Sequence, residues 1–147
     1  MIAALRSRWL KETHKRIGIA IVLRGSDVLV GVRGPGTVLE GMHEFPGGKC
    51  EPGETPAACA IRECFEETGL RVDVTETIQT TRFSYPHGDV ELSFFLCRPL
   101  DDHQDREPQG NFRWIPVREL SRCQFPEGNR DALARLWERF ATSGQLA

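Results

Sequence analysis

The chain has 147 residues, which is enough for one domain with a hydrophobic core but not for two. Hydrophobic residues at 39% and charged residues at 27% are ordinary for a globular protein, and a formal net charge of −2 gives no general attraction to nucleic acid. Arg6 and Arg8 interrupt the first apolar residues too early for a signal peptide, and no later stretch is long enough to span a membrane. We therefore expect a cytoplasmic protein, a monomer or a homodimer, that binds neither a nucleic-acid polymer nor a membrane.

The cysteines indicate a reducing compartment. They are five in number, and no two of them form a Cys-x-x-Cys pair. An odd number without that spacing argues against a zinc site and against a disulfide framework. We expect reduced thiols that pack in the interior.

The first half of the chain predicts a hairpin, a loop and a helix. Residues 1–15 form a basic leader, either a partner-binding arm or a solvated tail, and the single domain is expected over 16–147. Two β-branched runs, 17–23 and 28–32, flank a glycine-containing turn and predict a hairpin. The segment 34–48 is rich in Gly and Pro and predicts a loop. A helix should begin at Thr55-Pro56, with a hydroxyl cap and a proline in the first turn, and end at Gly69.

The second half predicts a return to strands and a final helix. Strand-like runs occupy 72–74, 77–83, 90–97 and 112–115, with a turn over 85–89. Apolar residues at helical spacing predict a last helix over 130–140. The order of elements indicates an α/β fold in which a mixed sheet lies between helices.

Three carboxylates line one face of the first predicted helix. Glu63 and Glu67 are one helical turn apart and Glu66 lies beside them, so the three repel one another. Arg62 can pair with Glu66 but cannot neutralise all three. A hard divalent cation that prefers oxygen ligands, Mg²⁺ or Mn²⁺, would do so. The alternative is an ordinary solvated acidic face, but the opposite face is apolar and a glycine-rich loop precedes the helix.

The segment resembles the signature of a known family. Seven residues stand at the spacing of the Nudix box, with Leu70 at its closing aliphatic position: Gly48, Glu54, Arg62, Glu63, Glu66, Glu67 and Gly69. Cys64 stands where the pattern usually has a larger aliphatic residue. The resemblance implies a Nudix hydrolase, with an α/β/α sandwich fold and hydrolysis of nucleoside diphosphates linked to another group.

The resemblance also implies roles for the box residues. A backbone carbonyl of Gly47 or Gly48 would hold Mg²⁺, with Mn²⁺ as a possible substitute, together with Glu63, Glu66 and Glu67. Arg62 would orient the carboxylates through charge-assisted hydrogen bonds. Glu63 is the first choice for the general base. Glu107 is the second, although it could equally be a surface charge in a polar loop.

Outside the box the chain resembles the MutT branch of the family, which acts on oxidised guanine nucleotides such as 8-oxo-dGTP. The resemblance rests on residues 32–33, 44–49 and 125–129, and it suggests the substrate-binding residues Arg33, Glu44, Phe45, Lys49, Tyr85 and Asn129. A carboxamide at Asn129 would match the donor and acceptor edge of 8-oxoguanine, although a helix cap is its structural alternative. Other possibilities are a pyrophosphatase for CTP or dCTP, and a catalytically idle nucleotide-binding or interaction module.

Overall fold

The computed structural model describes residues 14–86 and 88–143 of the chain. Within this part a single mixed sheet has the strand order β3-β2-β1-β6-β5, with β4 paired to β1 and β7 paired to β2. The strands are β1 Lys15–Arg24, β2 Asp27–Val32, β3 His43–Glu44, β4 Gly47–Lys49, β5 Val72–Tyr85, β6 Gly88–Pro99 and β7 Phe112–Pro116. Strands β1 and β6 are parallel, and the other pairs are antiparallel. The predicted mixed sheet is confirmed.

Two α-helices of the described residues cover the sheet, α1 Pro56–Thr68 and α2 Arg130–Ser143. Short 3₁₀ turns lie at Asp101–His103, Val117–Arg122 and Glu127–Asn129. The ends of α1 follow the sequence signals. Thr55 Oγ1 accepts from the Ala58 N–H at 3.1 Å, Pro56 is the first helical residue, and Gly69 adopts φ 77° and donates to the Phe65 carbonyl. This backbone conformation favours glycine, so the helix ends there.

Alternation along β1 divides the core into two layers. Ile19 and Ile21 face the cluster beneath α2, which contains Leu136, whereas Ala20 and Val22 face the cluster beneath α1. Successive side chains of a strand point to opposite faces, so both faces of β1 are buried. The result is the α/β sandwich expected from the order of the elements.

The structure corrects two sequence predictions. The segment 34–48 is not a loop throughout, because it contains β3 and most of β4. The runs 72–74 and 77–83 belong to one strand, β5, which pairs with β6 through two register shifts. The hairpin and the last helix lie where they were predicted, and β5 ends at Tyr85 and β6 begins at Gly88, within the predicted turn over 85–89. Most of the basic leader, residues 1–13, lies outside the described residues. Among the described residues, no helix is long and apolar enough to cross a membrane.

Candidate active site

Glycines bring β1, β4 and α1 together. A Cβ atom on Gly18 would overlap the Pro56 carbonyl oxygen and lie 2.9 Å from the Ala60 amide nitrogen. A Cβ on Gly47 would lie 2.6 Å from the Gly18 carbonyl oxygen. Gly18 is also the register partner of Gly48 in the β1–β4 pair. Only residues without a side chain allow this approach, and it places the acidic face of α1 against β4.

Gly47 and Gly48 of β4 contact two of the carboxylates. The space that a side chain on Gly48 would fill holds the Glu63 carboxylate, whose oxygens would lie 2.6 and 2.7 Å from a Cβ. The Gly47 N–H donates to Glu67 Oε1 at 3.1 Å. The backbone of Gly47 and Gly48 therefore fixes the positions of Glu63 and Glu67.

Arg62 lies at the centre of the carboxylate cluster. Its Nε and Nη2 donate to the two oxygens of Glu54 at 2.8 and 2.9 Å, which is a bidentate pair. Its Nη1 donates to Glu63 at 3.0 Å and to Glu66 at 3.1 Å, and Nη2 also donates to the Lys49 carbonyl at 3.2 Å. The hydrogen bond from Arg62 holds the pKa of Glu54 down at about 2, and the bond to Glu54 in turn raises the pKa of Arg62. A planar guanidinium suits this arrangement because its donors are fixed relative to one another.

Glu67 is a carboxylate whose negative charge is disfavoured by its surroundings. Burial raises its pKa to about 7, while the N–H of Gly47 acts in the opposite direction. The negative charges of Glu44, Glu63 and Glu66 raise it further. Such a group favours either a proton or a metal cation close to it.

The donor set suits Mg²⁺. Glu63 and Glu67 lie against Gly48 and Gly47, Glu66 shares the Arg62 guanidinium with Glu63, and hard cations such as Mg²⁺ prefer oxygen ligands of this kind. One guanidinium serves Glu54, Glu63 and Glu66, so the cluster keeps an excess of negative charge for a cation to neutralise.

A cleft of about 300 Å³ adjoins Glu67. Its lining includes Arg33, Thr37, Glu44, Glu67, Asn111 and Phe112. Arg33 Nη1 lies 4.0 Å from Glu44 Oε2, and Arg33 Nε donates to the Val38 carbonyl at 2.6 Å. Burial raises the pKa of Glu44, and the charge of Arg33 opposes that rise. The structure thus brings two of the predicted substrate-binding residues, Arg33 and Glu44, to a predicted metal ligand.

The remaining substrate-binding residues are spread around this centre. Lys49 is exposed at the end of β4. Phe45 is 5% exposed and stacks on Phe125, with 4.7 Å between the ring centroids. The side chain of Tyr85 lies outside the described part of the chain. Asn129 ends the 3₁₀ turn before α2, and its Nδ2 donates to the Pro126 carbonyl at 3.2 Å.

Glu107, the second candidate for the general base, lies on the surface near the end of α1. Glu107 is exposed in the loop before β7, two residues before Gln109, whose N–H donates to the Thr68 carbonyl at the end of α1.

Burial raises the pKa of Cys59 to about 12 and that of Cys64 to about 11. Thiols with such pKa values are poor nucleophiles at neutral pH.

Sequence reasoning missed two contributors to the site. Glu54 was counted in the motif but given no role, although it is the bidentate partner of Arg62. The position of Glu54 in the Nudix box was the signal in the sequence that could have indicated this role. Asn111 lines the cleft beside Glu67, and nothing in the sequence pointed to it.

Comparisons with known proteins agree with this geometry. Residues 13–136 match the NUDIX domain family. The chain is 35% identical to the 8-oxo-dGTP diphosphatase of Haemophilus influenzae over 63% of its own length and 68% of that protein. It is 27% identical to the 8-oxo-dGTP diphosphatase of Escherichia coli K12, over 86% and 98% of the two chains.

The fold is also that of a solved Nudix hydrolase. The solution structure of a MutT protein from methicillin-resistant Staphylococcus aureus 252 superposes with a TM-score of 0.70 and 26% identity, and the match covers 88% of this chain and 99% of that one. The match over residues 13–136, with the carboxylate helix held against Gly47 and Gly48, shows that the chain belongs to the Nudix family and is a pyrophosphohydrolase of nucleoside diphosphate-linked compounds.

Proposed function

We propose that this enzyme hydrolyses 8-oxo-dGTP to 8-oxo-dGMP and pyrophosphate with Mg²⁺, Mn²⁺ being a possible substitute, and so clears oxidised guanine from the cytoplasmic nucleotide pool. The observation that carries the proposal is the packing of Glu63 and Glu67 against Gly48 and Gly47. Relatives described as 8-oxo-dGTP diphosphatases support the choice of substrate.

The carboxylates and the glycine carbonyls are the proposed metal ligands. These ligands would hold Mg²⁺, which would neutralise the phosphate oxygens and lower the pKa of the attacking water. Arg62 keeps Glu63 and Glu66 in fixed orientations, because the same guanidinium is anchored by two bonds to Glu54. A positioned cluster of this kind avoids reorganisation during the reaction.

Glu63 is the proposed general base. Its carboxylate is fixed by a hydrogen bond from Arg62 and by the space beside Gly48, so it can take a proton from water in one defined position. Glu107 is the second candidate, because its loop is joined through Gln109 to the C-terminal end of α1.

The segment from Glu44 to Lys49 connects the two ends of the proposed substrate site. Glu44 lines the cleft with Arg33 and Glu67, and Gly47 and Gly48 meet the carboxylates. Phe45, between them, packs on Phe125 of the segment that leads to Asn129. We assign phosphate contact to Lys49, contact with the nucleotide to Arg33 and Glu44, and the base end to Phe45, Tyr85 and Asn129.

Asn129 is the proposed reader of the oxidised base. A carboxamide has two N–H donors and one carbonyl acceptor, and one donor is already used on the Pro126 carbonyl. That bond fixes the amide plane and leaves one donor and the acceptor. In 8-oxoguanine N7 carries a hydrogen, so N7–H can donate to Oδ1 while O6 accepts from Nδ2. Normal guanine presents two acceptors and can form only one of these bonds.

A substrate screen tests the proposal. Hydrolysis of 8-oxo-dGTP, dGTP, CTP and dCTP with Mg²⁺ should show the highest kcat/KM for 8-oxo-dGTP. Preference for CTP or dCTP would replace the proposal by a cytidine-nucleotide pyrophosphatase. Absence of turnover on all four nucleotides, together with tight nucleotide binding, would favour an idle binding module.

The variant Asn129→Ala tests the base contact. A bidentate contact to a base is worth about 1–3 kcal/mol, so the preference for 8-oxo-dGTP over dGTP should fall by roughly 5- to 150-fold. Turnover of dGTP should change little. Glu127→Ala is the matched control, since Glu127 belongs to the same 3₁₀ turn and its side chain is 83% exposed. If Asn129→Ala slows both substrates equally and lowers Tm, the residue has a structural role and the base contact is refuted.

A further inference from the structure

Two cysteines and a glutamate meet at the N-terminal end of α1. The Sγ atoms of Cys50 and Cys59 and a carboxylate oxygen of Glu54 all lie within 4.8 Å of one another. The nine-residue separation of the cysteines resembles no common metal-binding spacing, which is why the sequence argued against a zinc site. The fold brings them together because Cys50 follows β4 and Cys59 lies on the first turns of α1.

The loop that carries Cys50 and Glu54 is held in place by Arg16. Arg16 Nη1 donates to the Glu54 carbonyl at 2.8 Å and Nη2 to the Glu51 carbonyl at 3.1 Å, while the Cys50 N–H donates to the Arg16 carbonyl at 2.8 Å. Within the loop, the Glu51 N–H donates to Glu54 Oε1 at 3.0 Å. Three potential ligands are thus presented by a preformed scaffold, which lowers the cost of ordering them around an ion.

The ligand atoms of the three groups already lie close together. The Cys59 thiol donates to the Gly48 carbonyl oxygen at 3.2 Å, and the Cys50 thiol and the Glu54 carboxylate lie beside it. Arg62 and the Glu51 N–H use three of the roughly four acceptor positions of the Glu54 carboxylate. The fourth position faces the Cys59 thiol, where a bound ion would replace the thiol hydrogen.

We propose that Cys50, Glu54 and Cys59 bind one thiophilic divalent cation, of the Zn²⁺ or Cd²⁺ class, through side chains that are not among the proposed magnesium ligands. The site adjoins the magnesium ligands, because Cys59 Sγ lies 3.2 Å from the Gly48 carbonyl oxygen. Two sulfur ligands and one carboxylate oxygen suit such an ion in a tetrahedral arrangement, whereas Mg²⁺ takes oxygen ligands only. Cys59 is fully buried and Cys50 is 7% exposed, so a water that completes the coordination would enter from the side of Glu54, whose side chain is 14% exposed.

The charges of the bound state balance. Binding replaces the two thiol hydrogens, which leave as protons to solvent, and forms two metal–thiolate bonds and one metal–carboxylate bond. Two thiolates and one carboxylate around a dication leave one net negative charge. The guanidinium of Arg62, bonded to both oxygens of Glu54, lies beside that charge.

Titration with Cd²⁺ tests the site without any need for turnover. The full chain, reduced with a phosphine rather than a thiol, should develop the ultraviolet charge-transfer band of cadmium–thiolate bonds and saturate at one Cd²⁺ per chain. Cys50→Ser and Cys59→Ala should each weaken binding by more than about 100-fold, since loss of even an outer partner of a metal ligand costs roughly 10- to 100-fold. Cys123→Ser is the matched control, because Cys123 is a partly exposed thiol bonded to the Glu119 carbonyl. It should bind as tightly as the parent.

Three outcomes would overturn the proposal: no charge-transfer band in the parent chain, an unchanged band in Cys50→Ser, or an equal loss in Cys123→Ser. Circular dichroism of each variant separates a lost ligand from a lost fold. Crystals of the unaltered chain soaked with Cd²⁺ give an answer that depends on no variant. The anomalous peak should lie between the two Sγ atoms and Glu54, and a peak only among Glu63, Glu66 and Glu67 would refute the assignment.

Discussion

Replacing Gly48 by alanine should separate activity from stability. The new Cβ would overlap Glu63 Cδ and lie 2.6 Å from Oε2, whereas ordinary contacts begin at about 3.4 Å, so the carboxylate must move by about 1 Å. Glu63 can do so by rotating a flexible side chain, since the atoms in the way belong to its terminal carboxylate. A misplacement of about 1 Å in a catalytic constellation can cost roughly 100-fold in rate, so we expect kcat/KM to fall by about 30- to 100-fold.

The fold should tolerate Gly48→Ala. Effects on the free energy of unfolding within about 0.5 kcal/mol are usual where no backbone has to move, and in a chain of this size that corresponds to roughly 1–2 °C in Tm. Gly18→Ala is the contrasting variant, because its Cβ would meet backbone atoms of Pro56 and Ala60. Pushing α1 from β1 is a form of overpacking, for which about 1–3 kcal/mol and a fall in Tm of roughly 2–12 °C are expected.

Steady-state kinetics and differential scanning fluorimetry on the two variants make the comparison. A double-mutant cycle with Glu63→Gln then tests the cause. If Gly48→Ala acts by moving the Glu63 carboxylate, it should have little further effect once that carboxylate is an amide. Full additivity of the two losses, or a large fall in Tm for Gly48→Ala, would refute the reasoning.

Three further predictions concern the metal, the products and the pH dependence. Glu67→Gln should remove nearly all turnover and leave Tm unchanged or higher, because it relieves repulsion from Glu44, Glu63 and Glu66; comparable activity, or full activity in excess chelator, would contradict the metal mechanism. Hydrolysis of a nucleoside triphosphate in ¹⁸O-labelled water should give a monophosphate and pyrophosphate with label in one of them, as mass spectrometry can show; a diphosphate and inorganic phosphate would mean that another bond is cleaved. The pKa of Glu54 is about 2 in the folded chain against an ordinary 4.5, so its ion pair with Arg62 stabilises the fold above about pH 4.5 and is lost as the pH falls towards 2. The Tm difference between the parent and Glu54→Gln should therefore shrink over that interval and with added salt, and a constant difference would exclude the ion pair as its cause.

Local signals in the sequence were sufficient for the hairpin and for α1. The turn after Arg24, the cap at Thr55 and the left-handed Gly69 each depend on neighbouring residues only, and the structure has them as predicted. The stripe of Glu63, Glu66 and Glu67 follows from helix geometry once the helix is known. These features could be read from the sequence because no distant contact decides them.

Strand β4 could not be predicted in this way. It contains two glycines, which have low strand propensity and no side-chain pattern, and it exists because Gly47 and Gly48 pair with Ile19 and Gly18 across the sheet. Strand β5 was divided in the prediction because one of its two register shifts lies at Thr75, where the alternation of apolar residues is interrupted. Tertiary pairing decides both elements, and a local pattern contains no information about it.

The same long-range packing explains why the acidic residues form a site rather than a solvated helix face. The residues that lack side chains, Gly18, Gly47 and Gly48, determine how closely α1 approaches β4. At that distance the Gly47 N–H reaches Glu67, and the Glu63 carboxylate occupies the space beside Gly48. Burial then raises the pKa of Glu67 to about 7, an effect that an exposed helix face would not produce. Glycine packing therefore holds the carboxylates in fixed, partly buried positions, and without it the same residues would form an exposed acidic helix face.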